Sequence, residues 1–245
     1  MSPRKAKAVS APAETLQRCK TSRNLLYGPP GTGKSTAALQ LAKETNRPIY
    51  SITLNQDMSP SALLGFWGLM GGNTIFIDGP AVKALEEGGI LLIDEIHDCP
   101  PSCETTLMSL LNDRDLLAVP LADGRTITAA EGFTVVATTN GNPQDLRAAL
   151  LDRFELVLEV LSPCDEALEK LGRENSAMAR YIRDWYDHSA VSIGFSRPVS
   201  FRALLAMSEI ARNIGDEKQA ARLVFGDNWS DVFNAIQLQA AKGDL

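Results

Sequence analysis

The chain has 245 residues, 44% of them hydrophobic and 22% charged, a globular composition with room for one large domain or two small ones. Its net charge of −6 excludes a surface built mainly to coat nucleic acid, although a local basic channel stays open. No apolar run approaches the roughly 20 residues of a membrane span, so no span is expected.

The N-terminal stretch MSPRKAKAVSAPAET is basic, rich in Ala, Ser and Pro, and lacks the apolar centre of a signal peptide. Residues 1–19 are therefore expected to form a flexible tail. From about residue 24 to 160, short apolar runs alternate with helical patterns, the rhythm of a parallel sheet with crossover helices. NLLY reads as a strand, TAALQLAKE as a helix, PIYSITL as a second strand and AVKALEE as a helix. GGILLID is an unbroken apolar run, which suits a strand covered on both faces. CETTLMSLLNDR is an amphipathic helix, the stretch turning at ADGR is a hairpin, and a strand is expected at Phe133–Thr138. RFELVLEV closes this part with Phe154, Leu156, Leu158 and Val160 alternating. Beyond SPCD the strand signal stops and helical segments run to the end, with Ser200 as an N-cap and Gly215 as a C-terminal cap of one of them. The expected fold class is α/β: a P-loop NTPase sheet with flanking helices over 20–162, followed by a small all-helical lid domain over 163–245.

The four cysteines are scattered (Cys19, Cys99, Cys103, Cys164), and the one C-x-x-x-C pair has no second pair or nearby histidine. Free buried thiols in a reducing, cytoplasmic setting are expected, not a zinc site.

Gly28-Pro29-Pro30-Gly31-Thr32-Gly33-Lys34-Ser35 matches G-x-x-x-x-G-K-[ST] between a strand and a helix, the context the motif requires. Glycines let backbone N–H groups converge on phosphate oxygens, and the following helix, with Thr36 in its first turn, points its positive end there. Lys34 is expected against the β- and γ-phosphates and Ser35 on Mg²⁺. ILLIDEIHD ends a strand with Asp94 and Glu95. Asp94 suits the water shell of Mg²⁺, and Glu95 suits a general base for an attacking water. A D-E-x-H helicase box is the competing reading, but residues after 162 are helical and too few for a second RecA-like domain. His97 then reads as a local polar contact. Asn140 ends VVATTN, where an amide can orient the water or read the γ-phosphate, though taken alone an ordinary turn Asn before Gly-Asn-Pro is the favoured reading. Arg153 precedes the last strand, with Arg147 nearby. Arg202 sits in a helix's first turn, where a cation is locally unfavourable and phosphate would be a partner.

Taken together these motifs resemble the AAA+ ATPases, within them the MoxR-like, dynein-related branch. The branch pattern is carried by LLGFWG, DGPAVKALEEGGILLIDEIHDCPP and LMSLLNDR, and the resemblance covers about residues 20–240. It implies ATP hydrolysis with Mg²⁺ at the interfaces of a ring, usually a hexamer. It implies Asn140 as sensor 1, Arg202 (or Arg197) as sensor 2, and Arg153 (or Arg147) as the arginine finger acting on a neighbouring subunit. It also implies Asn55, at the end of the second strand, as a restraint on Glu95. By the same analogy the insert SALLGFWGLMGGNTIFID and the hairpin of residues 114–133 face the pore. No Lys or Arg occurs between Pro48 and Val82, so Phe66, Trp67, Leu69 and Met70 suit apolar polypeptide better than a phosphate backbone, unless they pack in the subunit core. Arg114 and Arg125 keep nucleic acid open. The expected activity is remodelling of a protein partner, often a von Willebrand A-domain protein, with a nucleic-acid motor or loader, a metal-chelatase-type subunit or a slow nucleotide switch as alternatives.

Overall fold

A computed structural model describes residues 12–160 and 201–242. Five parallel strands form the central sheet in the order β2-β5-β8-β1-β9: β1 (Arg23–Tyr27), β2 (Ile49–Thr53), β5 (Ile90–Asp94), β8 (Thr134–Thr139) and β9 (Leu156–Glu159). The pattern of exposure follows that order. β8 is buried at every residue and β5 at all but Asp94, because both faces are covered. The edge strands β2 and β9 show alternating, partial burial. These positions agree with the sequence expectation for all five.

Helix α2 (Lys34–Thr45) follows the glycine-rich loop, α3 (Pro60–Leu64) leads into an antiparallel hairpin of β3 (Gly65–Met70) and β4 (Asn73–Asp78), and α4 (Pro80–Glu87) returns to β5. The hairpin turns on Gly71 and Gly72, both at positive φ, which a two-residue hairpin loop of matching twist demands. Helix α5 (Pro101–Leu110) precedes a second hairpin, β6 (Ala118–Pro120) with β7 (Thr126–Thr128), closed at Leu121–Arg125 as ADGR predicts. The short α6 (Ala148–Leu151) stands before β9. Leu63, Leu85, Leu91, Ile93, Leu107 and Val135 form part of one apolar core with no solvent exposure.

One expectation fails. Residues 12–19 are not tail but helix α1 (Pro12–Cys19), with Ala13 and Leu16 buried and the helix packed on α2. Pro12 opens it, Glu14 and Arg18 match its dipole and pair at 3.7 Å. The Ala- and Pro-rich composition masked a short apolar face of one turn's spacing.

The chain divides into two compact units; leaving aside loop 29–33, the split falls between Glu159 and Val160. The second unit contains α7 (Phe201–Ile214), α8 (Glu217–Phe225) and α9 (Trp229–Lys242). Leu204, Met207, Ala221, Phe225, Val232 and Ile236 form its core. Gly215 ends α7 at φ +70° with its N–H donating to Ala211 O, and Asp216 caps α8 by accepting from Gln219 N. Ser200, Cys164 and Arg197 lie outside the described residues. Among the described residues no helix is long and apolar enough to cross a membrane.

Cys103 is buried but Cys19 is exposed, against the expectation of buried thiols. Burial, then Cys103 and Glu104, push the Cys99 thiol up to about 11.

Candidate nucleotide site

The parallel sheet brings three strand ends to one edge. β1 ends at Tyr27 and enters the loop, β5 ends at Asp94, and β8 ends at Thr139. In the loop Gly28, Gly31 and Gly33 all have positive φ, a backbone path that side-chain-bearing residues rarely adopt. Thr32 is buried and its hydroxyl donates to Pro29 O at 3.0 Å, which tightens the turn. Lys34 begins α2 and is only 7% exposed. Its ammonium donates to Gly28 O at 2.8 Å and to Asn140 Oδ1 at 2.7 Å. Thr36, one residue past Ser35, is exposed on the first turn of α2.

Asp94 Oδ1 accepts from the Ser35 hydroxyl and from the Thr138 hydroxyl, each at 2.7 Å. A hydroxyl and a carboxylate are the hard oxygens Mg²⁺ selects, and two protein ligands leave its other positions for water and phosphate. Among the described residues no cluster of three or more His, Cys, Asp or Glu forms an all-protein metal cage. The donor set therefore fits a cation shared with a phosphate ligand.

Glu95 is the one non-glycine at the strand ends with a left-handed backbone, φ 56° and ψ 52°, immediately before a 3₁₀ turn at Ile96–Asp98. Such a conformation costs energy and clusters at functional sites. It swings the Glu95 side chain away from the direction of Asp94. Its Oε1 accepts from Asn140 Nδ2. Its Oε2 is buried without a hydrogen bond, and the nearest basic atom is His97 Nδ1 at 3.4 Å. That nitrogen lies closer, at 3.1 Å, to the Thr139 hydroxyl, which also accepts from Gly141 N. His97 is thus the polar contact the sequence suggests, on Thr139, with Glu95 as its neighbour.

The result is a continuous polar chain from Lys34 through the two ends of the Asn140 amide to Glu95. Asn55 is not part of it: its Oδ1 accepts from Asp57 N in its own loop. The expectation that Asn55 restrains Glu95 is corrected by this geometry; Asn140 occupies that position.

The sequence model for the AAA domain of the dynein-related subfamily matches residues 24–154, which hold four of the five sheet strands, both hairpins and every residue of this polar chain. The chain belongs to the AAA family. The MoxR-like, dynein-related resemblance is thereby established, and other relatives agree. This AAA protein is 36% identical to an uncharacterized protein of Staphylococcus haemolyticus over 237 residues, covering 87% of this chain and 89% of that one. It is 35% identical to NorQ of Paracoccus denitrificans over 126 residues, 51% of this chain and 46% of NorQ. A crystal structure of a candidate ATPase from Cytophaga hutchinsonii superposes with a TM-score of 0.51 at 23% identity, over 70% of this chain and 56% of that one, a likeness of fold.

The candidate arginines have partners of their own or stand on the second unit. Arg153 is partly buried and its Nη1 donates to Asn112 Oδ1. Arg147 pairs with Glu104 yet leaves 75% of its side chain exposed. Arg202 is exposed on α7, in the second unit. Two site residues escaped the sequence reading. Thr138 and Thr139 were seen only as the end of a strand, although polar residues closing a buried apolar run beside Asn140 were the available signal.

Proposed function

We propose that this chain is a subunit of a ring-forming ATPase, usually hexameric in such assemblies, that couples Mg-ATP hydrolysis at subunit interfaces to remodelling of a protein partner. The observation that carries the hydrolytic part is the Lys34–Asn140–Glu95 chain beside the Ser35–Asp94 pair. A bound γ-phosphate competes for Lys34, which exchanges Gly28 O and Asn140 Oδ1 for phosphate oxygens. The Asn140 amide, released at one end, is free to turn and free Glu95. Glu95 then takes the proton of a water whose oxygen bonds to the γ-phosphorus as the β,γ-bridging oxygen leaves with ADP. Mg²⁺, held through Ser35 and Asp94, would neutralise charge on the phosphates. Arg153 or Arg147 is the finger toward a neighbouring subunit, and the exposed Arg147 is the better placed to leave its own chain. Arg202 acts as sensor 2.

The partner class rests on the two hairpins. Phe66 and Trp67 are each 53% exposed and Leu69 81%, so these side chains are not core. Arg125, which kept a nucleic-acid role open, is held by Asp78, Asp123 and Glu86 and lies 5.8 Å from the Phe76 ring centroid. Asp78 and Asp123 hold its pKa above the ordinary range, and the three carboxylates together neutralise it toward phosphate. An apolar polypeptide surface, such as a von Willebrand A-domain protein could offer, is favoured over a nucleic-acid backbone.

The test is Glu95→Gln. Steady-state hydrolysis should fall about 10²–10⁴-fold while nucleotide affinity stays. Retained turnover overturns the base assignment. Turnover stimulated by DNA in the parent protein would overturn the choice of partner, and an Arg147→Ala, Arg153→Ala double variant at full activity would overturn the trans finger.

A further inference from the structure

At the opposite edge of the sheet from the phosphate loop the first unit encloses a second cavity, of about 400 Å³. It is lined where β1 begins (Ser22, Arg23), where β8 begins (Thr134) and where α2 ends (Thr45). The nucleotide site sits at the other ends of those same elements, roughly 15 Å away along a five-residue strand. The two sites are therefore separate.

The lining combines two kinds of surface. Leu41, Leu110 and Phe133 supply an apolar wall, while Lys20, Arg23, Arg47 and Arg114 supply four cations, and among the described residues no Asp or Glu lines the cavity. Arg23 is neutralised by Glu155 at 2.7 Å and Asp113 at 2.8 Å. The other three have no carboxylate partner among the described residues. Arg47 is the most constrained of them. Its Nε donates to Thr45 Oγ1 and its Nη1 to Thr134 Oγ1 and Gly132 O, which leaves the Nη2 edge unused. Burial lowers the pKa of this guanidinium with no opposing carboxylate. A second, more open hollow adjoins on the far side of Arg47 and adds Lys43, again with no acid.

A cation just past a helix C-terminus complements the helix dipole, and Lys20, Arg47 and Arg114 follow α1, α2 and α5. That accounts for each cation singly. It does not account for an apolar cavity of ligand size between them without one acid on its wall, which is the composition of a small-molecule site. The helix ends also set the ligand chemistry. Their carbonyls oppose a bare anion, so the binding energy must come from an apolar body, with the charge fixing its orientation.

We propose that this cavity binds a small organic anion, an apolar body carrying a carboxylate or phosphate, with the body against Leu41, Leu110 and Phe133 and the charge on Arg47, Lys20 and Arg114. The site is independent of the hydrolytic reading.

The test uses the full chain with the nucleotide loop saturated by Mg-ADP, titrated calorimetrically with 1-naphthyl phosphate, 1-naphthoate, 1-naphthol and inorganic phosphate. The two anions should bind at least about tenfold more tightly than 1-naphthol, and inorganic phosphate should not bind measurably. Stronger binding of 1-naphthyl phosphate than of 1-naphthoate identifies a phosphate ester, the reverse a carboxylate, and either agrees with the proposal. Arg47→Met should weaken the anions about tenfold and leave 1-naphthol unchanged. Because Arg47 also ties residues 132–134 to the end of α2, the double variant Lys20→Met, Arg114→Met, both at exposed positions, gives the same reading without that strut. Equal affinity for naphthol and the anions, unchanged affinity in the double variant, displacement by ADP, or no binding at millimolar ligand overturns the proposal.

Discussion

Around the phosphate loop the polar side chains find partners within the chain, Glu95 Oε2 excepted. Lys34 has Gly28 O and Asn140, Asp94 has Ser35 and Thr138, and Glu95 has Asn140. The β3–β4 hairpin, joined to the same sheet through α3 and α4, is the reverse: Phe66, Trp67, Leu69 and Met70 point large apolar surfaces at solvent. The first region holds its groups on one another before any ligand arrives, so a ligand has only to exchange partners already in place. The second region pairs Trp67 with Phe76 at 5.6 Å but leaves most of its apolar surface uncovered. An apolar patch of that kind marks an interaction surface. The difference separates a site whose groups lie within one chain from a surface that only another molecule can cover.

The contrast breaks first at Asn140. If the amide both contacts Lys34 and holds Glu95, Asn140→Ala should lower hydrolysis about 10²–10³-fold. Asn55→Ala, which removes only a hydrogen bond within its own loop, should stay within about threefold. Steady-state phosphate release measures both. A loss at Asn55 equal to that at Asn140 would return the restraint to Asn55 and leave the observed Asn140–Glu95 contact incidental.

The next pair tests the hairpin. Leu63 is fully buried one residue before the end of α3, and Leu69 is 81% exposed on β3. Leu63→Ala should cost about 2–5 kcal/mol in urea unfolding. Leu69→Ala should cost under about 0.5 kcal/mol and leave basal hydrolysis unchanged. A large stability loss at Leu69 would mean the hairpin serves its own fold and has no surface to spare.

How much of this was readable beforehand divides along similar lines. Strands were legible because burial on two faces writes an unbroken apolar run, as in Ile90–Ile93, and burial on one face writes an alternation, as in Leu156 and Leu158. The loop was legible because its chemistry depends on contiguous residues. The Asn140–Glu95 contact was not, because it needs two facts no local pattern carries. One is that β8 pairs directly with β5. The other is that Glu95 takes a left-handed backbone. The fate of Arg125 was hidden for the same reason, since Asp78 and Glu86 reach it from distant segments. Helix α1 was hidden for the opposite reason: its apolar face is so short that composition outweighed it.

A satisfied polar network away from the phosphate loop gives the contrast its control. Glu155 accepts from Ser22 N and Ser22 Oγ, each at 2.9 Å, and from Arg23 Nε at 2.9 Å. Partial burial raises its pKa, but the bonds from Ser22 and the Arg23 charge outweigh that and hold the carboxyl below its ordinary value. A depressed folded pKa means the stabilisation is fully present above the unfolded value of about 4.3 and is lost as pH falls through the lower folded value. Glu155→Gln should therefore cost roughly 1 kcal/mol at pH 7, with the parent and variant converging in acid. Hydrolysis per folded molecule should not change. If polar satisfaction by itself made a site, this variant would lose activity as Asn140→Ala does. Loss of stability with turnover intact would show that what sets the phosphate loop apart is where its bonds are aimed, at the ends of β1, β5 and β8, rather than how many it makes.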